Sequence, residues 1–295
     1  MPRFDVVGIG IAACDYLIQL DRLPGPDVKV RADDLQIEGG GTVGTALVAA
    51  ARLGAQAAYA GVVGDDVFGR FILDGLEKEG VDTSLARTAA GARSPFAFCV
   101  SVPPARTVFS VRSTTPPLTL QGKDLEAALD TRAVHLDGTE EEASLTLAAE
   151  AKVRGILVSV DLQRTRRASD KLLELADLAV VAESYALERY PGRAPLEAVR
   201  EMWRPGMHMA AITLGARGLV ACDGGDPYEV PAEPTEVVDS TGAGDVFHGA
   251  LLVAVLEGHA VRKSLEFASH VAALSCRALG GRSGIPRRDE VGDAL

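Results

Sequence analysis

The chain reads as an α/β protein with a mostly parallel central sheet and helices on both of its faces. Three observations predict this. From about Leu118 onward, short apolar runs alternate with helical patterns, and parallel strands need crossovers of that length. Two β-rich runs, Pro95 to Val102 and Thr107 to Arg112, have hairpin character and stand apart from that alternation. Finally, the turn Gly242-Ala243-Gly244-Asp245 leads directly into the apolar stretch Val246 to Leu252, as expected of a helix that starts there and is buried. With 295 residues, 47% of them hydrophobic, the chain is long enough for one large domain, spanning 1–295, with an insertion.

Taken in order, Val6 to Ile11 reads as a buried strand and Cys14 to Asp21 as strand and turn. Gly8-x-Gly10-x-x-Ala13 matches a dinucleotide fingerprint weakly. That motif needs a helix to open at the second glycine, whereas β-leaning residues and then Pro24 and Pro26 follow. Lys29 to Ile37 looks like a polar, alternating strand. The loop Glu38 to Thr45 precedes a helix from Ala46 that Gly54 ends. Ala57 to Val63 is an apolar strand, and Phe71 to Glu79 an amphipathic helix closed by Gly80. Pro103-Pro104-Ala105-Arg106 joins the two hairpin strands. Strands follow at Ala133–Gly138, Ile156–Leu162, Leu178–Ala182, Ala210–Leu214 and Gly218–Asp223, with helices at Glu140–Arg154, Lys171–Leu175 and from about Ser184. Thr213 to Gly218 reads as a strand end and a glycine turn. Ser264 to Leu279 gives the last helix pattern, ended by Gly280-Gly281.

Composition narrows the function. A net charge of -11 disfavours nucleic acid and anionic membranes as partners. Cys14, Cys99, Cys222 and Cys276 are widely spaced and form no C-x-x-C pair, which points to a reducing, cytoplasmic setting and away from a zinc site. No apolar run approaches the roughly 18 residues of a membrane span. Lone His135, at a strand end, reads as structural. The basic run Arg164-Thr165-Arg166-Arg167 reads as a solvated loop.

The chemistry concentrates in Asp239-Ser240-Thr241-Gly242-Ala243-Gly244-Asp245. Glycines let the backbone turn so that several N–H groups converge, and the positive end of the following helix favours an anion there. A carboxylate at the helix mouth, Asp245, is placed to take a proton from a hydroxyl. Anion cradle and base together suit transfer of a phosphoryl group to an alcohol. The bland alternative is an ordinary Asp-Ser-Thr-Gly turn with an Asp at a helix start.

This stretch resembles the C-terminal signature of the ribokinase-like (PfkB) carbohydrate kinase family, D-T-x-G-A-G-D, with Ser240 at the variable place. Gly39-Gly40-Gly41-Thr42-Val43-Gly44, leading to Ala51-Arg52-Leu53-Gly54, resembles its N-terminal signature, and together the matches cover nearly the whole chain. The resemblance implies a ribokinase-like fold with a small β-sheet lid, from strands near 14–37 and 95–112, through which two copies pair as a homodimer. It implies ATP with Mg2+, and a sugar as acceptor. Asp245 becomes the base, and the N–H groups of Gly242, Ala243, Gly244 and Asp245 hold the phosphoryl. Asp15, Gly40, Gly41 and Gly44 line the acceptor, with Arg106 of the lid within reach of an anionic group. Thr213, Gly215 and Gly218 border the nucleotide. Asp239 and Thr241 border a potassium site. Two departures stand out. Gly44 replaces an Asn that grips sugar hydroxyls, as in sulfofructose kinases. Ala182 and Tyr185 replace the Asn and Glu of an N-x-x-E motif linked to magnesium, leaving Glu183 as the nearby carboxylate, a looseness similar to that of ketohexokinases. A ketohexose or an anionic sugar derivative is the expected acceptor. A nucleoside kinase, or a non-catalytic sensor on the same scaffold, are the alternatives.

Overall fold

The structure is a computed structural model that describes residues 1–102 and 105–292, with only the backbone of residue 105. In chain order the strands and α-helices are β1 (Phe4–Ile9), β2 (Ala13–Gln19), β3 (Gln36–Gly40), α1 (Thr42–Arg52), β4 (Ala57–Ala60), β5 (Val62–Gly64), α2 (Val67–Lys78), β6 (Arg87–Ala89), β7 (Phe96–Val102) and β8 (Ala105–Val111). Then come α3 (Gly122–Ala128), β9 (Thr131–Leu136), α4 (Glu141–Val153), β10 (Leu157–Leu162), α5 (Ser169–Leu175), β11 (Leu178–Ala182), α6 (Glu183–Arg189), α7 (Pro195–Met202), β12 (Met209–Thr213), β13 (Leu219–Cys222), β14 (Tyr228–Val230), α8 (Ala243–Leu256) and α9 (Val261–Ser275).

The main sheet has the order β14-β13-β12-β11-β10-β9-β1-β4, and it is parallel except for β13 and β14 at one edge. Its central strands read as unbroken apolar runs because both faces are covered. Val6, Leu178 and Val180 pack into one layer with α1, α8 and α9; Val7, Ala179 and Val181 pack into the other with α4 and α5. The direction of strand succession reverses at β1. The crevice beyond the carboxyl ends of β1, β9 and β10 is where such sheets bind ligands. A four-stranded sheet, β3-β2-β7-β8, stands over that crevice as the lid. On one side it buries Leu17, Ala97 and Cys99. Tyr16 packs on Phe98 and on Phe68 of α2, and Phe96 packs on the same two rings.

Several boundaries differ from the sequence reading, each for a tertiary reason. The strand expected at 29–37 begins only at Gln36 and runs on through Gly39 and Gly40. Those glycines, which read as loop, pair antiparallel with β2, Gly40 opposite Ala13 and Glu38 opposite Asp15. Helix α1 starts at Thr42 rather than Ala46, because the Ile11 carbonyl accepts from the N–H groups of Val43 and Gly44 at 3.1 and 3.0 Å. Helix α2 likewise starts early, at Val67, where Asp66 caps it by accepting from Gly69 N–H at 2.8 Å. The apolar run 57–63 breaks at Gly61, and Val62 leaves the main sheet to pair with Arg87. The last helix spans Val261–Ser275 instead of Ser264–Leu279. Past it, the Cys276 carbonyl accepts from Val238 and Asp239 N–H, which draws the chain into a loop. The glycine turn after Thr213 is a short 3-10 turn, Gly215–Arg217. Ala105 and Arg106, expected in a loop, belong to β8, while Pro103 and Pro104 lie outside the described residues.

Candidate active site

Helix α8 begins under the lid because it packs closely on α1. A Cβ at Gly249 would stand 2.2 Å from the Ala46 carbonyl oxygen, so only glycine permits this approach. Its N-cap, Gly242, has φ 74, in the left-handed region. That conformation turns the preceding chain away and leaves the helix mouth facing the crevice. Among the described residues, the N–H groups of Gly242, Gly244 and Asp245 have no protein acceptor. The N–H of Ala243 differs from expectation: it donates to the Ser240 carbonyl at 3.3 Å, so it belongs to the turn rather than to the open set. The other glycine-rich helix start, at α1, is closed by the Ile11 carbonyl. Of these two glycine-rich starts, the mouth of α8 is therefore the one that retains the positive helix end with three free donors, as an anion needs.

The loop before α8 is fixed by Asp239. One of its oxygens accepts from Thr241 N–H at 3.0 Å and Thr241 Oγ1 at 2.8 Å, and the other accepts from Gly280 N–H at 3.0 Å. Three of the roughly four acceptor positions of a carboxylate are thus used inside the protein. Asp239 and Thr241, expected beside potassium, first of all staple the signature loop to the turn at 280.

Asp245 is half-buried at the first turn of α8. Burial pushes its pKa well above the usual carboxylate range. Asp161, Asp137 and Asp15 add to the rise, and Arg106 opposes it. A carboxylate so tuned takes up a proton more readily than an ordinary one. Two of these neighbours were not singled out from sequence. Asp161, on β10, lies 3.4 Å from His248 Nε2 with both side chains buried. Burial works against its charge, but His248, His135 and Gln163 together outweigh this and its pKa is lowered. His135, read as structural, is fully buried against His248, with ring centroids 5.2 Å apart and its Nδ1 3.2 Å from Ser159 Oγ. Asp137 is a second staple. It accepts from Ile11 N–H at 2.8 Å, Thr42 Oγ1 at 2.5 Å and Thr139 N–H at 2.9 Å, tying β1 and β9 to the start of α1. Both aspartates sit at the carboxyl ends of parallel strands, and that position was the signal available in the sequence.

At the acceptor end, Asp15 on β2 is 8% exposed. Burial raises its pKa to about 6, Glu38 adding to the rise and Arg282 opposing it. The glycines are bare because their neighbours fill the space. A Cβ at Gly40 would lie 1.9 Å from the Asp15 carboxylate, and one at Gly44 2.6 Å from Arg282 Nη2. Gly41, with φ 86, has the Ile11 carbonyl oxygen 2.5 Å from where its Cβ would be. Asp15, Gly40, Gly41 and Gly44 therefore do come together. Arg282, which sequence reasoning did not name, joins them.

On the other side of the α8 mouth lies a cavity of about 720 Å³. Its lining includes Ser240, Ala243 and Gly244 of the signature stretch and the apolar Val237, Phe247 and Ala272. Thr213, Gly215 and Gly218, expected beside a nucleotide, are in its lining, and so is Arg106. Arg106 Nη1 donates to Ser240 Oγ at 2.9 Å, so this lid residue reaches the signature loop rather than the glycines around Asp15. Glu183 is not among the residues lining the cavity. Its carboxylate is paired with Arg217, so it is not a free magnesium ligand. Among the described residues no cluster of three or more His, Cys, Asp or Glu is arranged to hold a metal.

Bare glycines around a buried Asp15 and a cavity lined by Ala243 and Gly244 thus accompany one helix mouth with free donors, an arrangement suited to a small-molecule kinase. Comparison with known proteins narrows the class. The family model described as pfkB family carbohydrate kinase matches residues 3–288, and the chain belongs to that family. It is 28% identical to the ribokinase of Bacillus subtilis over 97% of this chain and 98% of that protein. It is 30% identical to fructokinase-1 of Oryza sativa subsp. japonica over 85% of this chain and 86% of that one. The ribokinase of Arabidopsis thaliana, solved in complex with ribose and ATP, superposes with a TM-score of 0.83 at 24% identity, covering 98% of this chain and 97% of that one. The chain is a carbohydrate kinase with the ribokinase-like fold. No helix of the described residues is long and apolar enough to cross a membrane.

Proposed function

We propose that the chain transfers the γ-phosphoryl group of ATP to a primary hydroxyl of a small sugar, with a ketohexose as the favoured acceptor. The carrying observation is the trio of N–H groups at Gly242, Gly244 and Asp245, without protein partners among the described residues, beside a half-buried carboxylate of raised pKa. The nucleotide lies in the cavity of about 720 Å³, its base against apolar lining such as Val237, Phe247 and Ala272 and its phosphates toward Gly244. The sugar lies against Asp15 and the bare glycines, its reacting hydroxyl donating to Asp245. As the phosphoryl moves, Asp245 accepts the proton, and the amides with the helix dipole stabilise the charge on the transferring oxygens. Magnesium, held by the ATP phosphates and water, would supply neutralisation of their charge. Glu183 is already paired, so a water-mediated link is the most it offers that ion.

The ketose preference rests on the bare Gly44 and on the fructokinase relative. Homodimerisation through the lid rests on exposed Ile37, Phe98 and Phe109, which lie in one row across the lid strands with Tyr16 between Ile37 and Phe98. A cytoplasmic setting rests on the free, widely spaced cysteines. ADP release measured with D-fructose, D-ribose, D-glucose and adenosine tests the reading. Turnover of the ketose above the others supports it. Turnover of adenosine alone makes the chain a nucleoside kinase, and binding without any turnover makes it a sensor.

A further inference from the structure

The most unusual group in the acceptor end is Arg282. It is 4% exposed, yet among the described residues its guanidinium makes one hydrogen bond, from Nη2 to the Gly40 carbonyl at 2.9 Å, and no ion pair. Its Nε is buried without a partner, as is Oε2 of nearby Glu38. A buried cation left this poorly satisfied is costly.

Its placement is enforced. Arg52 of α1 is locked to Glu79 by two bonds of 2.8 Å, and its Nη1 donates to the carbonyls of Arg282 and Ile285 at 2.9 and 2.7 Å. Ser283 Oγ donates to Glu38 Oε1 at 2.7 Å, and Gln36 Nε2 donates to Ser283 Oγ at 2.9 Å. The loop is thus sewn to α1 on one side and to lid strand β3 on the other. The guanidinium then occupies the room that side chains at 39 and 44 would need: a Cβ at Gly39 would lie 2.1 Å from Nη1, and one at Gly44 2.6 Å from Nη2.

We infer that Arg282 is a specificity-determining residue of the acceptor end, which together with Asp15 reads neighbouring hydroxyls of an uncharged sugar from the space that a side chain at position 44 would otherwise fill. Adjacent hydroxyls can accept from a guanidinium and donate to a carboxylate at once, and so satisfy both. The charge balance selects an uncharged ligand. Glu38 and Asp15 face Arg282, Glu79 is already held by Arg52, and Asp245 and Asp137 lie beyond. An added carboxylate or sulfonate would meet more negative charge than positive. This inference rests on the sugar kinase reading above and adds the acceptor's class and its reader.

The test uses Arg282→Gln, Arg282→Lys and Gly44→Ala in the full chain, with D-fructose, D-ribose and D-gluconate as probes. KM for each sugar and for ATP is read from ADP release, and equilibrium binding of each sugar from calorimetry without ATP. Arg282→Gln is expected to raise KM for the preferred neutral sugar about ten- to a hundredfold, the loss of one charge-assisted contact, with KM for ATP nearly unchanged. Arg282→Lys keeps part of the affinity. Gly44→Ala adds a methyl that pushes on Nη2 while favouring the helix, and raises the sugar KM severalfold. Should Arg282→Gln fail to fold, the Lys and Ala variants decide. An unchanged sugar KM in the folded variants, a parallel rise in KM for ATP, or a preference for gluconate overturns the inference. If the sugars bind without being phosphorylated and Arg282→Gln abolishes binding, the kinase reading falls and the role of Arg282 stands. If turnover is normal but indifferent to Arg282, the reverse holds. Binding of none of the probes overturns both.

Discussion

Replacing Asp245 by Asn removes the proposed base and changes little else in shape. The magnitude follows from what remains. The N–H groups of Gly242, Gly244 and the residue at 245 are main-chain groups, so the anion site survives the substitution. Only proton acceptance is lost, and a positioned general base contributes about 10²- to 10⁴-fold, or roughly 3–5 kcal/mol of barrier. Turnover should therefore fall by that factor while KM for ATP holds. The pH profile supplies an internal control. The folded pKa of Asp245 is raised above its unfolded value, chiefly by burial. In the wild type kcat/KM should then climb with pH through that raised value, because the base must be ionised, and the Asn variant should lack this limb. Stability runs the opposite way. A carboxyl group raised on folding stabilises the fold below its unfolded pKa, and that contribution is lost as pH rises through the folded pKa. The Asn variant, with no charge to bury beside Asp161, should have a higher Tm than wild type at neutral pH. ADP-release kinetics across pH, with thermal melts on the same samples, measure both. An Asn variant within about threefold of wild type turnover would refute the role of Asp245, since even the weakest general base contributes more.

Three further outcomes are expected. Arg106→Ala removes the 2.9 Å bond from lid to signature loop and one wall of the nucleotide cavity, and should raise KM for ATP severalfold with little change in Tm. Gly249→Ala places a methyl 2.2 Å from the Ala46 carbonyl oxygen and should cost about 1–3 kcal/mol in denaturant unfolding; an unchanged midpoint would mean that α1 and α8 are not held so close. Replacing sodium by potassium in the assay should raise turnover if a monovalent cation sits by the loop of Asp239 and Thr241. With three of that carboxylate's acceptor positions filled, such an ion would rely on main-chain carbonyls, and identical rates in both salts would remove it from the scheme.

The sequence by itself determined the parallel sheet, because strands buried on both faces must be unbroken apolar runs, and Leu178 to Ala182 or Ala210 to Leu214 admit few other readings. It also marked the mouth of α8, since two glycines, an aspartate and an apolar run are local features. Only the tertiary structure decided which glycine-rich helix start stays open. The α1 start is as rich in glycine as that of α8, yet a carbonyl from residue 11 closes it. Nor could local pattern show Arg282 filling the space beside Gly44, 238 positions away in sequence, or Asp161 and His248 meeting beneath the site. Propensity and spacing act within a few residues, whereas hydrogen-bond satisfaction and excluded volume act between whichever segments the fold brings together, and the chemistry of this site depends on the second kind.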